Sequence, residues 1–236
     1  MNRLKKMIIY ALIAFTVYLA VGYFLHLVIF PEDKPEISTY FRKGDKFYSE
    51  AEGFYQIVAS QKEGKVYCNL IVAPFAPGPP KHIHTEFDEY FEVKNGELSV
   101  WVDGEIKKIK PGNVVHIPKG TPHKPFNETA DTIHIKEDFP MPEKFAFLLS
   151  QIYGLMDNHP DFGKMPTMLF MLSPIHFAGF DSYLVEGPPV LIQKTMAFIL
   201  TPISRLLGYK SYYKQYDVSR NKVTAIIPST PSSAQK

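Results

Sequence analysis

Between residues 54 and 136 the chain is divided into short runs rich in aromatic and β-branched residues. They are Phe54–Ala59, Val66–Ala73, Glu89–Val93, Glu97–Val102, Glu105–Ile109, Val114–Ile117 and Thr132–Lys136, each bounded by Gly, Pro, Asn or Asp. Runs this short with turn residues between them predict an antiparallel β protein: a sandwich, an open barrel or a jelly roll. Lys94-Asn95-Gly96 and Val102-Asp103-Gly104 carry dipeptides that accept positive φ, and they favour two-residue hairpin turns. At 236 residues, with 45% hydrophobic and 21% charged residues, the chain can hold one sizeable domain or a medium domain with appendages.

His82-Ile83-His84 falls inside this β region. Residues i and i+2 of a strand point to the same face, so the two imidazoles can serve one point in space. Glu89 adds a carboxylate after a four-residue gap, and His123 sits in the separate stretch Gly112–Asn127. Three imidazoles and a carboxylate suit a divalent first-row transition metal: Fe, Mn, Ni, Co, Cu or Zn. Four protein ligands on a six-coordinate ion leave two positions open, which favours Lewis-acid or oxygen-activating chemistry over a closed structural site. Glu86 and Asp88 flank the ligands, while the alternation of Glu89, Phe91 and Val93 turns Glu92 away. His116 and His134 lie in expected strands as further candidates for a proton shuttle. Tyr55, Tyr67, Tyr90, Phe91, Trp101 and Phe126 are available to line an apolar cavity. Cys68 alternates within a strand as a buried structural thiol; a single cysteine forms no internal disulfide and leaves the redox compartment open.

These two stretches resemble the paired signature motifs of the cupin superfamily. His82-x-His84-x4-Glu89-x6-Gly96 follows the first, except that Gly78 precedes His82 by four residues where the family has six. Gly112, Pro118, Gly120, His123 and Asn127 match the second throughout. The resemblance covers roughly residues 45–138. It implies a mainly β, cupin-type jelly-roll barrel with the metal inside, a structural role for Asn127, and a homodimer of paired barrels.

The flanks differ in character. Met7–Phe30 is 24 residues without a formal charge, long enough at about 1.5 Å per residue to cross a hydrocarbon core of about 30 Å. Arg3, Lys5 and Lys6 before it also suit a secretory signal. The apolar run exceeds the usual length of one, however, and Leu25–Phe30 has no small-residue cleavage site. The reading is a single-pass anchor with a basic cytoplasmic start (1–30) and an extracytoplasmic barrel, although Lys34, Arg42 and Lys43 count against that orientation. A linker (31–44), the β domain (45–138), an apolar helical extension (139–227) and a disordered tail (228–236) follow. In the extension a helix is expected from Glu143 to Met156, with Pro142 at its start. Met165–Val185 is apolar but too interrupted by Pro166, Pro174, Gly179 and Asp181 for a span. Val190–Leu207 gathers Lys194, Thr201, Ser204 and Arg205 on one side, opposite a broad apolar surface, with Pro202 expected to kink it. That surface suits a cap on the barrel, a dimer contact or a lipid interface; Tyr209, Tyr212, Tyr213 and Tyr216 beyond it suit a headgroup region.

Net charge of +2 and the absence of a basic aromatic patch exclude nucleic acid as the expected partner. Three functions fit: a metal-dependent, dioxygenase-like oxidoreductase acting on a small apolar molecule; a metal-assisted isomerase, epimerase or lyase; and a non-enzymatic ligand-binding or assembly module. The first is preferred, with lipid contacted through Met7–Phe30 and through Val190–Leu207.

Overall fold

The computed structural model describes residues 2–29, 31–136 and 140–218. The expected tail at 228–236 and the end of the extension, 219–227, lie outside the described residues.

Two antiparallel sheets form the centre. The first contains β1 (Lys46–Ser49), β2 (Phe54–Lys62), β3 (Lys65–Val72), β5 (Glu89–Asn95), β8 (Val114–Ile117), β10 (Ile133–Ile135) and β11 (Met141–Pro142), in the order β1-β2-β3-β10-β5-β8 with β11 also beside β3. The second runs β12-β4-β9-β6-β7, from β4 (His82–Ile83), β6 (Leu98–Val102), β7 (Glu105–Ile109), β9 (His123–Phe126) and β12 (Tyr183–Leu184). Alternation decides which side chains face in. Val66, Cys68, Leu70 and Val72 of β3 are buried on one face, as are Phe91 and Val93 of β5 and Val115 and Ile117 of β8. They meet Leu98, Val100 and Ile109 of the second sheet in one core.

The Asp103-Gly104 turn closes the β6–β7 hairpin, with Val102 opposite Glu105 and both turn residues at positive φ. Asn95-Gly96 behaves otherwise than expected. It carries the chain from the first sheet to the second, because β5 pairs with β8 and β10, and the Asn95 side chain accepts the His134 backbone N–H. Gly78 meets a separate demand: it has φ +66°, and a Cβ there would overlap the Pro125 carbonyl oxygen of β9.

Helix α1 (Arg3–Val28) is capped by Asn2, whose side chain accepts the Lys5 N–H. It is the one helix among the described residues long and apolar enough to cross a membrane, a property that signal sequences share. Residues 31–44 lie along the domain: Phe41 is in the core and its N–H donates to Gln61 Oε1. Helix α2 (Glu143–Asn158) starts after Pro142 as its sequence predicts, and buries Phe145, Phe147, Leu148, Ile152 and Leu155. Helices α3 (Thr167–Phe177) and α4 (Val190–Leu206) pack on each other, and α1 packs on α4. One expectation for this region is overturned. Tyr212 and Tyr216 belong to the core beside α2 and do not face outward, since Gly154 leaves room for the Tyr216 ring and Tyr212 stacks on Phe147. In α4 the polar residues Thr201, Ser204 and Arg205 are buried while Lys194 is exposed.

Candidate metal centre

Strands β4 and β9 pair with His82 directly opposite His123, which sets two imidazoles side by side. His84 leaves β4 one residue later on the same side, and its carbonyl accepts the Gly120 N–H from the loop that leads into His123. Glu89 opens β5 and comes from the facing sheet. The ligating atoms of His82, His84, Glu89 and His123 all lie within 4.8 Å of one another.

Each imidazole is oriented by its other nitrogen. His82 Nδ1 lies 2.8 Å from the Pro80 carbonyl, His123 Nδ1 lies 2.9 Å from the Thr121 carbonyl, and His84 Nδ1 is bonded to the Asp181 carbonyl. A carbonyl only accepts, so each Nδ1 is a donor, which leaves Nε2 as the nitrogen that would face a metal. His84 Nε2, His123 Nε2 and Glu89 Oε2 are buried without hydrogen-bond partners, although His123 Nε2 stands 2.8 Å from Glu89 Oε2. Buried polar atoms left without partners are costly, and a shared cation satisfies them all. The residues present therefore fit a divalent transition metal.

Protonation agrees with this donor set. Burial pushes the His82 imidazolium down to about 3, helped by the neighbouring imidazoles, and burial likewise lowers His84. Burial would raise Glu89, but the three imidazoles, His123 foremost, outweigh it and hold the carboxyl at about 2. The opposite balance, burial against the nearby carboxylate, raises His123. Two neutral imidazoles and an ionised carboxylate stand ready as ligands near neutral pH.

A cleft of about 470 Å³, part of it open solvent, adjoins Glu89. Its apolar wall includes Leu70, Phe87, Phe91, Ile135 and Met141, and Gln56 and Cys68 also line it. Around His84 the packing is aromatic: Phe87 stacks on it at 4.3 Å, Phe145 meets it edge-on at 5.0 Å, and Phe180 stacks on Phe145.

The two further histidines stand apart from the cluster. Val115 and Ile117 face the core, so His116 between them points outward, bonded to Asp88 at 2.8 Å and stacked on Tyr90. Ile133 and Ile135 do the same to His134. Neither reaches the cluster. Glu92 faces away and pairs with Lys136. Asn127 is a staple: its amide donates to the carbonyls of Ala73 and Asp131, while its oxygen accepts from Thr129. Of the aromatic residues expected at the cavity, Tyr90 and Phe91 line it; Tyr67 and Trp101 instead sit beneath Lys62 and Lys81. Sequence reasoning missed Asp181. Its carboxylate accepts the backbone N–H groups of Thr85 and Glu86 and the Thr85 hydroxyl, pinning the loop that carries His84. It also missed the buried pair Glu52 and Tyr153, which lies electrostatically close to Glu89.

Residues 70–135 match the cupin domain family. This part of the chain is a cupin domain. Its cluster of three histidines and a glutamate is of the kind cupin metalloenzymes use. Similar proteins include the oxidoreductase iacF of Pestalotiopsis fici, 48% identical over 48 residues, or 20% of this chain and 24% of iacF. The probable oxidoreductase virH of Hypocrea virens is 26% identical over 185 residues, 72% of this chain and 80% of virH. Quercetin 2,3-dioxygenase of Bacillus subtilis is 28% identical over 83 residues, 34% of this chain and 24% of the dioxygenase. The chain thus spans about a quarter of iacF and of the dioxygenase, and four-fifths of virH.

Proposed function

We propose that the cupin domain holds one divalent transition metal through His82, His84, Glu89 and His123 and acts as a dioxygenase-like oxidoreductase on a small apolar molecule. The observation that carries the reading is the convergence of three Nδ1-anchored imidazoles and one carboxylate beside a cleft with one apolar wall. The likeness to two fungal oxidoreductases and a quercetin dioxygenase supports the same class. A metal bound here would supply Lewis acidity and, with a redox-active ion, oxygen activation.

The chain's own groups have separable tasks. The Pro80, Thr121 and Asp181 carbonyls fix the imidazole tautomers, so the ligands need little reorganisation. Leu70, Phe87, Phe91 and Ile135 exclude water from one side of the site and offer apolar contact to a substrate. Lys136 is the one basic residue of the cleft wall, and it is paired with Glu92. A wall whose one basic residue is already paired offers little to a sugar phosphate, and so favours the oxidoreductase over an isomerase. Helix α1 is read as an uncleaved anchor that keeps the domain at a membrane.

The test begins with metal analysis of the purified full chain. Iron, manganese, nickel, cobalt, copper and zinc forms are then assayed for oxygen uptake with hydroxylated aromatic compounds. Oxygen-dependent turnover that is lost in Glu89→Ala supports the proposal. Turnover that persists under nitrogen, or retention of zinc alone with no oxygen uptake by any form, would refute it.

A further inference from the structure

Helix α4 is turned inside out for a helix in water. Thr201, Ser204 and Arg205 are buried with Ala197 and Pro202, whereas Leu191, Ile192, Phe198, Ile203 and Leu206 are exposed, Leu191 by 76%. The buried hydroxyls are satisfied within the helix, Thr201 donating to the Ala197 carbonyl and Ser204 to that of Leu200. The Arg205 guanidinium lies over the Phe177 ring of α3. A helix on a water-facing surface presents its polar side outward, so this one is built for a different solvent.

Helix α1 is joined to α4 at its proline. Pro202 has no N–H, which deprives the Phe198 carbonyl of its helical donor. Tyr23 of α1 supplies one, its hydroxyl 2.6 Å from that oxygen, and the Tyr18 hydroxyl donates to the Ile199 carbonyl at 2.8 Å. Gly22 lets the helices close up: a Cβ there would lie 2.5 Å from Pro202 Cβ. The Tyr23 ring packs on Phe198 and Phe177. Residues 2–17 of α1 are exposed throughout, and partial burial begins at Tyr18.

The lengths then decide the geometry. The uncharged, unaccompanied stretch from residue 7 to residue 17 rises about 16 Å. A hydrocarbon core is about 30 Å thick, so roughly 14 Å more must come from the part of α1 that lies against α4. We infer that α1 and α4 enter the bilayer as one packed pair, with the exposed apolar face of α4 seated in the leaflet on the side of the cupin domain. Lipid acyl chains are the partner that covers this face. The inference rests on the anchor reading of α1 and goes beyond it, since a lone anchor or a removable signal needs no tyrosine donors for the carbonyls of α4.

The test places a fluorophore at single cysteines of the full chain, in a Cys68→Ser background. The sites are Leu12→Cys in α1, Leu206→Cys in α4 and Lys107→Cys in the exposed strand β7. The protein is reconstituted in phosphatidylcholine vesicles with and without doxyl-labelled lipid. Quenching several-fold stronger at positions 12 and 206 than at 107 is expected. Adding Gly22→Leu should abolish the quenching at 206 and leave it at 12. Quenching at 12 without quenching at 206 overturns the paired insertion and leaves the anchor standing. No quenching at either site overturns the anchor and the pair together. If position 206 is shielded from aqueous reagents yet unquenched by lipid, a second protein copy covers the face and the inference fails.

Discussion

Replacing Glu52 by Gln should stabilise the metal-free protein at pH 8 and change it little near pH 4. Glu52 is 7% exposed, and burial pushes its carboxyl up from 4.5 to about 7, offset in part by its hydrogen bond from Tyr153 and by Lys124, and reinforced by Asp157. A carboxyl whose folded value lies above its unfolded one binds its proton more tightly when folded. Stability is then full below about pH 4.5 and falls as pH rises to about 7, after which the cost is constant. At 1.36 kcal/mol per unit the shift is worth about 3 kcal/mol by pH 8. Gln keeps an acceptor for Tyr153 and never ionises, so the variant avoids that cost. For a chain of this size the gain corresponds to a Tm rise of roughly 6–12 °C at pH 8. Thermal unfolding of wild type and variant, followed by near-UV circular dichroism at both pH values, measures the difference directly. An equal Tm difference at pH 4 and pH 8, or a variant less stable at pH 8, would refute the reasoning. It would mean that the folded protein already accommodates the charge, through water or through Lys124.

Asp181→Ala should weaken metal binding by about 10- to 100-fold, the usual scale for losing a group that orients a ligand. The Thr85–Glu86 backbone and the Thr85 hydroxyl lose their acceptor, so the loop that carries His84 loses its pin while the Asp181 carbonyl on His84 Nδ1 remains; cobalt titration of the metal-free protein reads this out. Asn127→Ala strips partners from the Ala73 and Asp131 carbonyls and from Thr129. It should cost about 3 kcal/mol at roughly 1 kcal/mol per buried bond, seen as a lower Tm with or without metal. His116→Ala should leave cobalt affinity and Tm unchanged, because its pair with Asp88 lies on the outer surface.

The long strands were legible because β3, β8 and the first half of β2 alternate and burial follows, whereas β6 buries Leu98, Ser99 and Val100 in a row and was legible from its β-branched and aromatic residues. Strands β4, β11 and β12 were not, since two residues show no period, and β9 carries Pro125 within it. The ligand cluster could be read because strand pairing brings together histidines that the two motifs already marked. Asp181, Phe145 and Phe180 could not. Asp181 and Phe145 reach His84, and Phe180 backs Phe145, from about 60 to 100 positions downstream, and nothing local to them signals a partner that distant. The apolar surface of α4 was legible as a surface, but periodicity does not say which face meets protein, and a cap, a dimer contact and a lipid interface all stayed open.

The region beyond residue 140 reads as an appendage if the cupin match is taken as the domain, yet it shapes the centre. Strand β12 pairs with β4, setting Leu184 opposite His82, and Asp181 two residues before β12 holds both the His84 ring and its loop. Phe145 of α2 closes the other side of that ring, and Lys194 of α4 donates to the Thr85 hydroxyl. The matched stretch, residues 70–135, thus contains all four candidate ligands but only part of what fixes them. Two of the three carbonyls that orient the imidazoles, Pro80 and Thr121, are local, and the third comes from Asp181. Through Lys194 and β12 the same loop is tied to α4, the helix whose apolar face is exposed. Any shift of α4 relative to the sheets is therefore felt first at Thr85 and His84. His84 is the ligand most directly held by the C-terminal region, and His82 is tied to it through the pairing of β12 with β4.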